Sequence, residues 1–269
     1  TPPSPMTTTT GPPSRAELQS QRQDEILRLV REQGRIEVTT LAERFDVTTE
    51  TIRRDLSGMQ KRKLLRRVHG AAIPWQAVRY EPSISARHSQ QVEEKRRIVT
   101  AALDELPPEG TIMMDAGSTT SLFAGYFPPD LQLRVVTNSL LIAPMLAEHD
   151  TLQVIVLGGA VRPQTASMVD HDTVETVRRM SVDVLFMGTD GLTPERGFTT
   201  PFTDEAAVKQ AMIASARRVI ALVDSTKFGN DHFVRFAGLT DIDTLITDTG
   251  ASDADVAALE AGGLHVVRV

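Results

Sequence analysis

The chain contains no cysteine, so disulfides, thiolate zinc sites and cysteine nucleophiles are excluded, and a reducing cytoplasmic setting is expected. It lacks any run approaching the roughly eighteen uninterrupted apolar residues of a membrane helix, and nothing in it has the pattern of a signal peptide. Neither an H-E-x-x-H pattern nor a carboxylate-rich EF-hand loop occurs, and His69, His88, His149, His171, His232 and His265 form no sequence cluster. No metal and no cofactor is therefore expected. Internal repeats are missing, and the only tryptophan, Trp75, is read as a packing anchor between domains rather than a binding residue. Positive charge is in deficit as well, with a formal net charge of −6. An acidic chain binds nucleic acid only where its cations are gathered.

They are gathered at one end. Residues 14–75 hold thirteen Lys+Arg against nine Asp+Glu, which leaves −10 for the remainder. Within that segment, Leu41 to Leu56 reads as two short helices joined by a tight turn. Thr48 occupies the N-cap position of the second helix. Ile52, Leu56 and Met59, spaced by four and three, form one apolar stripe. The opposite face carries Thr49, Glu50, Arg53, Arg54, Ser57 and Lys61, hydroxyls at the first turn followed by guanidinium groups. A helix presented this way can enter the major groove N-terminus first. The basic run Lys61, Arg62, Lys63, Arg66, Arg67 and His69, interleaved with Leu64, Leu65 and Val68, ends at Gly70 and returns through Ala71 to Ile73. That pattern predicts a β-wing beside the helix. A solvated amphipathic helix would show the same charged face, but the wing and the local charge favour double-stranded DNA as partner.

At 269 residues the chain exceeds one average domain, and 41% hydrophobic residues suffice for real cores. Residues 1–14, rich in Pro, Thr and Ser, are expected to form a disordered tail, with Met6 a candidate true start. A winged helix-turn-helix domain is assigned to residues 15–73 and a linker to 74–90. From 91 to 269 amphipathic helices alternate with short Val- and Ile-rich strands, the pattern of an α/β domain with a mostly parallel sheet. Strands are expected at 111–114, 133–136, 152–157, 182–187, 219–223, 244–247 and 265–267. Helices are expected at 95–106, 119–126, 140–149, 173–180, 205–216 and 253–261.

Ligands of such sheets bind beyond the carboxyl ends of the strands. Those ends are small and polar here: Asp115-Ala-Gly117-Ser118-Thr119-Thr120, Thr137-Asn138-Ser139, Gly158-Gly159, Gly188-Thr-Asp190-Gly191 and Asp224-Ser-Thr-Lys227. Glycine lets backbone approach a ligand, and N–H groups at a helix start with adjacent hydroxyls suit an anion. Gly117 to Thr120 therefore reads as a phosphate cradle, with Lys209 and Lys227 as flexible counter-charges at the pocket mouth. Any one such loop also occurs as an ordinary cap or turn; five in register are harder to dismiss.

The N-terminal third resembles the DeoR family of bacterial transcriptional regulators. The likeness is carried by Arg22, Ile26, Leu27 and Val30, by Gly34-Arg35-Ile36-Glu37-Val38, by Leu41-Ala42-Glu43-Arg44-Phe45 and by Val47-Thr48. It continues through Thr51-Ile52-Arg53-Arg54-Asp55-Leu56 and the wing Leu65-Arg66-Arg67-Val68-His69-Gly70-Ala71. The implied DNA-contacting set is Thr48, Thr49, Glu50, Thr51, Arg53, Arg54, Lys61, Arg66, Arg67 and His69. Ala71 departs from the second glycine the family commonly has in its wing. The remainder resembles the family's C-terminal sensor domain through the strand-end blocks above, with Gly197-Phe198-Thr199-Thr200, Glu205 with Lys209, and Asp243 to Asp248. Asp170 departs here, standing where the family usually has a glycine and placing a carboxylate near the pocket.

The resemblance implies a sensor fold akin to sugar-phosphate isomerases and deaminases, and a phosphorylated sugar as effector. It implies a repressor of a sugar uptake or catabolism operon, in the manner of regulators of phosphotransferase operons. A short helix-turn-helix contacts few base pairs, so a homodimer or homotetramer joined through the C-terminal domains is expected. The competing reading is a sugar-phosphate isomerase or deaminase fused to a DNA-binding domain, with Asp190, Glu205 or Asp224 as base. Deaminases of similar fold follow an aspartate-glycine pair with a histidine; here Leu192 and Thr193 follow Asp190-Gly191. A third reading, an interaction module without ligand, leaves the polar strand ends without a purpose.

Overall fold

The computed structural model describes residues 15–62, 64–68, 70–74 and 83–269, and the chain divides into two compact units, residues 1–80 and 81–269. The expected tail over 1–14 with Met6, the wing residue His69, and Trp75 with the linker stretch 75–82 lie outside the described residues.

In the first unit, helix α1 (Arg15–Gln33) is closed by Gly34, whose φ of 73° and N–H bond to the Val30 carbonyl end the last turn. Strand β1 (Ile36–Glu37), helices α2 (Val38–Arg44) and α3 (Thr49–Lys61), and the hairpin of β2 (Leu65–Val68) and β3 (Ala71–Pro74) follow. The apolar stripe of α3 is used as its spacing requires: Ile52, Leu56 and Met59 are fully buried with Ile26, Val30, Leu41 and Leu65. Strand β3 lies between β1 and β2, antiparallel to both. Gly70, at φ 63°, makes the wing turn. Ala71 already belongs to β3, opposite Val68 and Glu37, so a side chain there leaves the turn undisturbed.

The second unit is built on seven parallel strands: β4 (Thr111–Met114), β5 (Arg134–Thr137), β6 (Gln153–Val156), β9 (Val182–Met187), β12 (Ala216–Leu222), β14 (Thr244–Thr247) and β15 (His265–Arg268). Their order is β15-β14-β12-β9-β4-β5-β6. Side chains alternate between two cores. Met113, Leu185, Met187 and Ala221 face helices α8 (His171–Arg178), α9 (Thr203–Ser215) and α10 (Asp253–Ala261). Ile112, Met114, Phe186, Ile220 and Leu222 face α5 (Val92–Ala102), α6 (Ser118–Ala124) and α7 (Ile142–Leu146). Both faces are covered, which is why these strands read as continuous apolar runs.

Three pieces stand outside the expected pattern. Residues 83–90, assigned to the linker from their composition, belong to the second unit and form helix α4 (Ile84–His88), capped by Ser83 and burying Ile84 and Arg87. A two-stranded hairpin, β7 (Val161–Arg162) with β8 (Ser167–Met168), precedes α8. A small antiparallel sheet joins β10 (Gly191–Thr193), β11 (Gly197–Thr200) and β13 (Val234–Ala237). Among the described residues no helix is long and apolar enough to cross a membrane.

Candidate functional site

In the first unit α3 and the wing carry exposed basic residues. Thr48 caps α3, its Oγ1 accepting the Thr51 N–H at 3.2 Å, and Glu50 lies in the first turn where the helix dipole favours a carboxylate. Arg53, Arg54 and Lys61 project to solvent, with Arg53 only loosely paired to Glu50 at 3.7 Å. Arg67 of the wing is tied back to the helix: its N–H donates to Gln60 Oε1 at 2.7 Å and its guanidinium to Ser57 Oγ. Wing and helix thus present one surface, with Arg66 half-buried beside it. Asp55 faces the other way. It is buried and accepts from Arg22 Nε at 2.7 Å, Gln19 at 2.7 Å and Gln23 at 3.1 Å, fixing α1 against α3.

In the second unit a polar cavity opens at the carboxyl ends of the central parallel strands. Asp115 ends β4 and is ion-paired with Lys209 of α9, both buried. Lys209 also donates to the Gly188 carbonyl at 3.0 Å and stands 5.3 Å from the Phe236 ring centroid. Its burial disfavours charge, but Asp115, Glu205 and Asp190 more than compensate and hold its pKa above the ordinary lysine value. Lys209 is therefore a fixed structural cation, not the flexible one expected from sequence. Gly117, Ser118, Thr119 and Thr120 line the cavity where α6 begins, and Asn138 stands beside them, accepting the Ala116 N–H at 3.1 Å and donating to the Met168 carbonyl at 3.1 Å.

Asp190, Glu205, Asp224 and Lys227 complete the expected lining. Thr200 Oγ1 lies 2.9 Å from Asp190 Oδ2 and 3.1 Å from Glu205 Oε2. Asp190 meets Arg87 at 3.2 Å, and Glu205 meets Arg162 at 3.0 Å. Burial works to raise the Asp190 carboxyl, yet Arg87, Lys227, His232 and Lys209 together hold it below the usual range. Asp224 is likewise lowered against its own burial by Lys227, Thr226 and Lys95. His232, which belongs to no histidine cluster in the sequence, is half-buried with Nε2 at 3.2 Å from the Asp190 carbonyl.

Four residues of the expected set lie outside the cavity. Thr137 is fully buried, its hydroxyl donating to the Met114 carbonyl at 2.8 Å and accepting from Ser139 N–H at 3.1 Å. Gly158 and Gly159 serve the start of α8. A Cβ at Gly159 would sit 2.2 Å from Thr173 Oγ1 and 2.5 Å from Asp170, and Gly158 accepts from the Thr173 hydroxyl at 2.8 Å. Gly191 is in β10, where a Cβ would lie 2.4 Å from the Asn230 carbonyl. Asp170 explains the neighbouring glycines: it is the N-cap of α8, accepting from Thr173 N–H at 2.9 Å and Ala160 N–H at 2.6 Å. Those bonds, the Thr173 N–H foremost, lower its pKa, and it lies outside the lining of the cavity.

Sequence reasoning did not anticipate Arg87, Thr165 and Ser167, which also line the cavity, as does Thr189 of the expected strand-end block. The only local signal for Arg87 is Ser83, a capping residue after Pro82. Lys95 supports it from α5: Nζ is buried and donates to the carbonyls of Arg87 at 2.6 Å and Gln90 at 2.8 Å. Among the described residues no group of three or more His, Asp or Glu is arranged to hold a metal.

Residues 22–76 match the family model of the DeoR-like helix-turn-helix domain, and residues 90–249 that of the DeoR C terminal sensor domain. The HTH-type transcriptional regulator GlpR of Haloferax volcanii is 37% identical over 251 residues, covering 93% of this chain and 98% of that protein. The glycerol-3-phosphate regulon repressor of Escherichia coli K12 is 30% identical over 231 residues, covering 86% of this chain and 91% of the repressor. Among solved structures, ribose 5 phosphate isomerase A from Neisseria gonorrhoeae aligns with 52% of this chain and 55% of its own, at 17% identity and a TM-score of 0.38.

Proposed function

The chain belongs to the DeoR family of transcriptional regulators, and from that premise we propose that it represses an operon for a phosphorylated sugar or polyol and releases DNA when that metabolite fills the cavity of its second unit. The observation that carries the reading is the cavity itself. At its mouth Arg87 and Lys227 stand with the hydroxyl-rich turn Gly117 to Thr120, whose N–H groups begin a helix and so have no intrahelical acceptor. Around them Asp115, Asp190, Glu205 and Asp224 offer acceptors for sugar hydroxyls. A phosphate takes the cations and N–H groups, and a polyol takes the carboxylates.

Thr48, Thr49, Glu50, Thr51, Arg53, Arg54, Lys61, Arg66, Arg67 and His69 are the proposed operator contacts, in a homodimer or homotetramer that reads two half-sites. An enzymatic role is disfavoured by the family and by the carboxylates, since Asp190 and Glu205 are engaged by guanidinium groups instead of standing free as bases. The name of the Escherichia coli relative supports a phosphorylated polyol as effector class.

A thermal-shift panel of glycerol 3-phosphate, fructose 1-phosphate and glucose 6-phosphate against their unphosphorylated counterparts tests the effector. One phosphate should raise Tm, by RT ln(1 + [L]/Kd) in free energy, and its neutral counterpart should not. Equal stabilisation by both refutes the phosphate site.

A further inference from the structure

The cavity holds about 40 Å³ of free space in this structure, room for about three waters. A sugar phosphate seated wholly among the lining residues needs some of them to give way. Two ion pairs close the space. Lys209 with Asp115 joins α9 to the end of β4, two elements locked into the sheet and its core. Arg87 with Asp190 joins the end of β9 to α4, and α4 is a helix of five residues. It is also tied by Ile84 N–H to the Gln164 carbonyl at 2.9 Å and by Lys95 Nζ to the carbonyls of Arg87 and Gln90. Helix α4 buries Ile84 and Arg87, against six buried residues on α9, so it is the side of the cavity that can yield.

The geometry points to a ligand-released latch: the Arg87–Asp190 ion pair holds α4 against the unliganded cavity, and an anionic ligand frees α4 by taking Arg87 from Asp190. The inference rests on reading the cavity as a phosphate sensor. Helix α4 is the first described element after the chain leaves the DNA-binding unit, so its release acts at the start of the second unit.

Charge explains why the exchange runs in this direction. Three cations, Arg87, Lys209 and Lys227, stand among four carboxylates in the lining, and the fourth carboxylate, Glu205, is met by Arg162. A guanidinium binds a phosphate dianion bidentately, more strongly than it binds one carboxylate oxygen. Asp190 is not stranded when Arg87 leaves. The Thr200 hydroxyl stays at 2.9 Å, and Lys227, His232 and Lys209 still act on its charge. A ligand shifts an equilibrium only by its differential affinity for the two states. Here the difference exists because the ligand gains the full Arg87 guanidinium only where Asp190 has given it up. The β7–β8 hairpin gives a second route to the same helix: Thr165 and Ser167 line the cavity, and Gln164 of the same turn accepts from Ile84.

The absence of cysteine makes the test direct. Ser85→Cys on α4 and Ala257→Cys on α10, both exposed, introduce the only two thiols for spin labels in the full-length protein. Pulsed EPR distances are measured with glycerol 3-phosphate, fructose 1-phosphate or glucose 6-phosphate, and melting curves on the same samples report binding. Any probe that raises Tm should shift the distance distribution, and Asp190→Asn should shift it the same way without ligand. A probe that binds while the distances stay fixed overturns the latch and leaves the cavity as the effector site. If no probe raises Tm, the sensor reading falls and the latch with it.

Discussion

Arg53 and Asp55, two positions apart on α3, do opposite work, and the difference is one of burial. Arg53 and Arg54 are exposed and touch no core residue; Asp55 is buried against Arg22. Replacing both arginines by alanine should weaken operator binding by about 1 to 3 kcal/mol for each base edge that is no longer reached. The melting temperature should stay where it is, since Ile52, Leu56 and Met59 keep the helix packed. Fluorescence anisotropy at fixed salt checks this, and an unchanged Kd would remove these residues from the interface. Asp55→Ala should do the reverse first: it leaves Arg22, Gln19 and Gln23 without their shared acceptor inside the unit. Removing one partner of such a pair costs about 3 kcal/mol, read as a lower denaturation midpoint for the first unit. A variant as stable as the parent would show that Asp55 does not hold α1 to α3.

At the scale of elements, α4 is tied to α5 by one buried lysine. Burial pushes Lys95 down from its ordinary value of 10.5 to about 8, against the pull of Asp224. The folded chain therefore gives up this proton before the unfolded chain does. Between about pH 8 and 10.5 the unfolded state binds more protons, so the Lys95 contribution to stability rises with pH across that window, and below it the ammonium is kept at a cost offset by the Arg87 and Gln90 carbonyls. The Cε resonance of Lys95 followed by NMR should titrate with a midpoint near 8 and vanish from the spectrum of Lys95→Met; a midpoint above 10 would place Lys95 in solvent. None of this was visible in sequence, because a five-residue helix is too short to show a 3.6-residue period. Composition hid β10 and β11, whose Gly-Leu-Thr and Gly-Phe-Thr-Thr lack the Val and Ile enrichment that marks a strand. By contrast the seven sheet strands were legible as mostly Val-, Ile- and Leu-rich runs, the five inner ones largely buried on both faces. Cavity residues just past the apolar sheet strands, such as Asp115, Asn138 and Asp224, could be named in advance. Arg87, Thr165 and Ser167 could not, since only tertiary folding brings their short elements to those strand ends. Gly158 and Gly159 misled for a related reason: a glycine pair after a strand signals close backbone approach, here to the Asp170 cap instead of the cavity.

For the whole molecule, the two lysines that looked equivalent in sequence separate into different experiments. Lys209→Ala leaves Asp115 buried without its partner, which should cost about 3 to 5 kcal/mol, so any lost response in that variant is entangled with stability. Lys227 is half-buried at the end of a short 3-10 turn, Ser225–Lys227, and lines the cavity. Lys227→Ala should fold normally, bind operator like the parent in the absence of ligand, and need far more of the phosphorylated effector to release it. Linkage makes the comparison strict. The factor by which effector weakens operator binding must equal the factor by which operator weakens effector binding, a coupling typically of about 1 to 3 kcal/mol. In Lys227→Ala both legs of that cycle should shrink only through effector affinity, leaving the coupling factor at saturation intact, because the lysine holds ligand but does not carry the Arg87–Asp190 exchange. Operator anisotropy titrated with effector, paired with calorimetry on the free and operator-bound protein, measures all four legs. If Lys227→Ala responds at the wild-type effector concentration, Lys227 is not part of the sensor. If its saturated coupling factor collapses instead, the lysine belongs to the transmission between the two units and not to ligand capture.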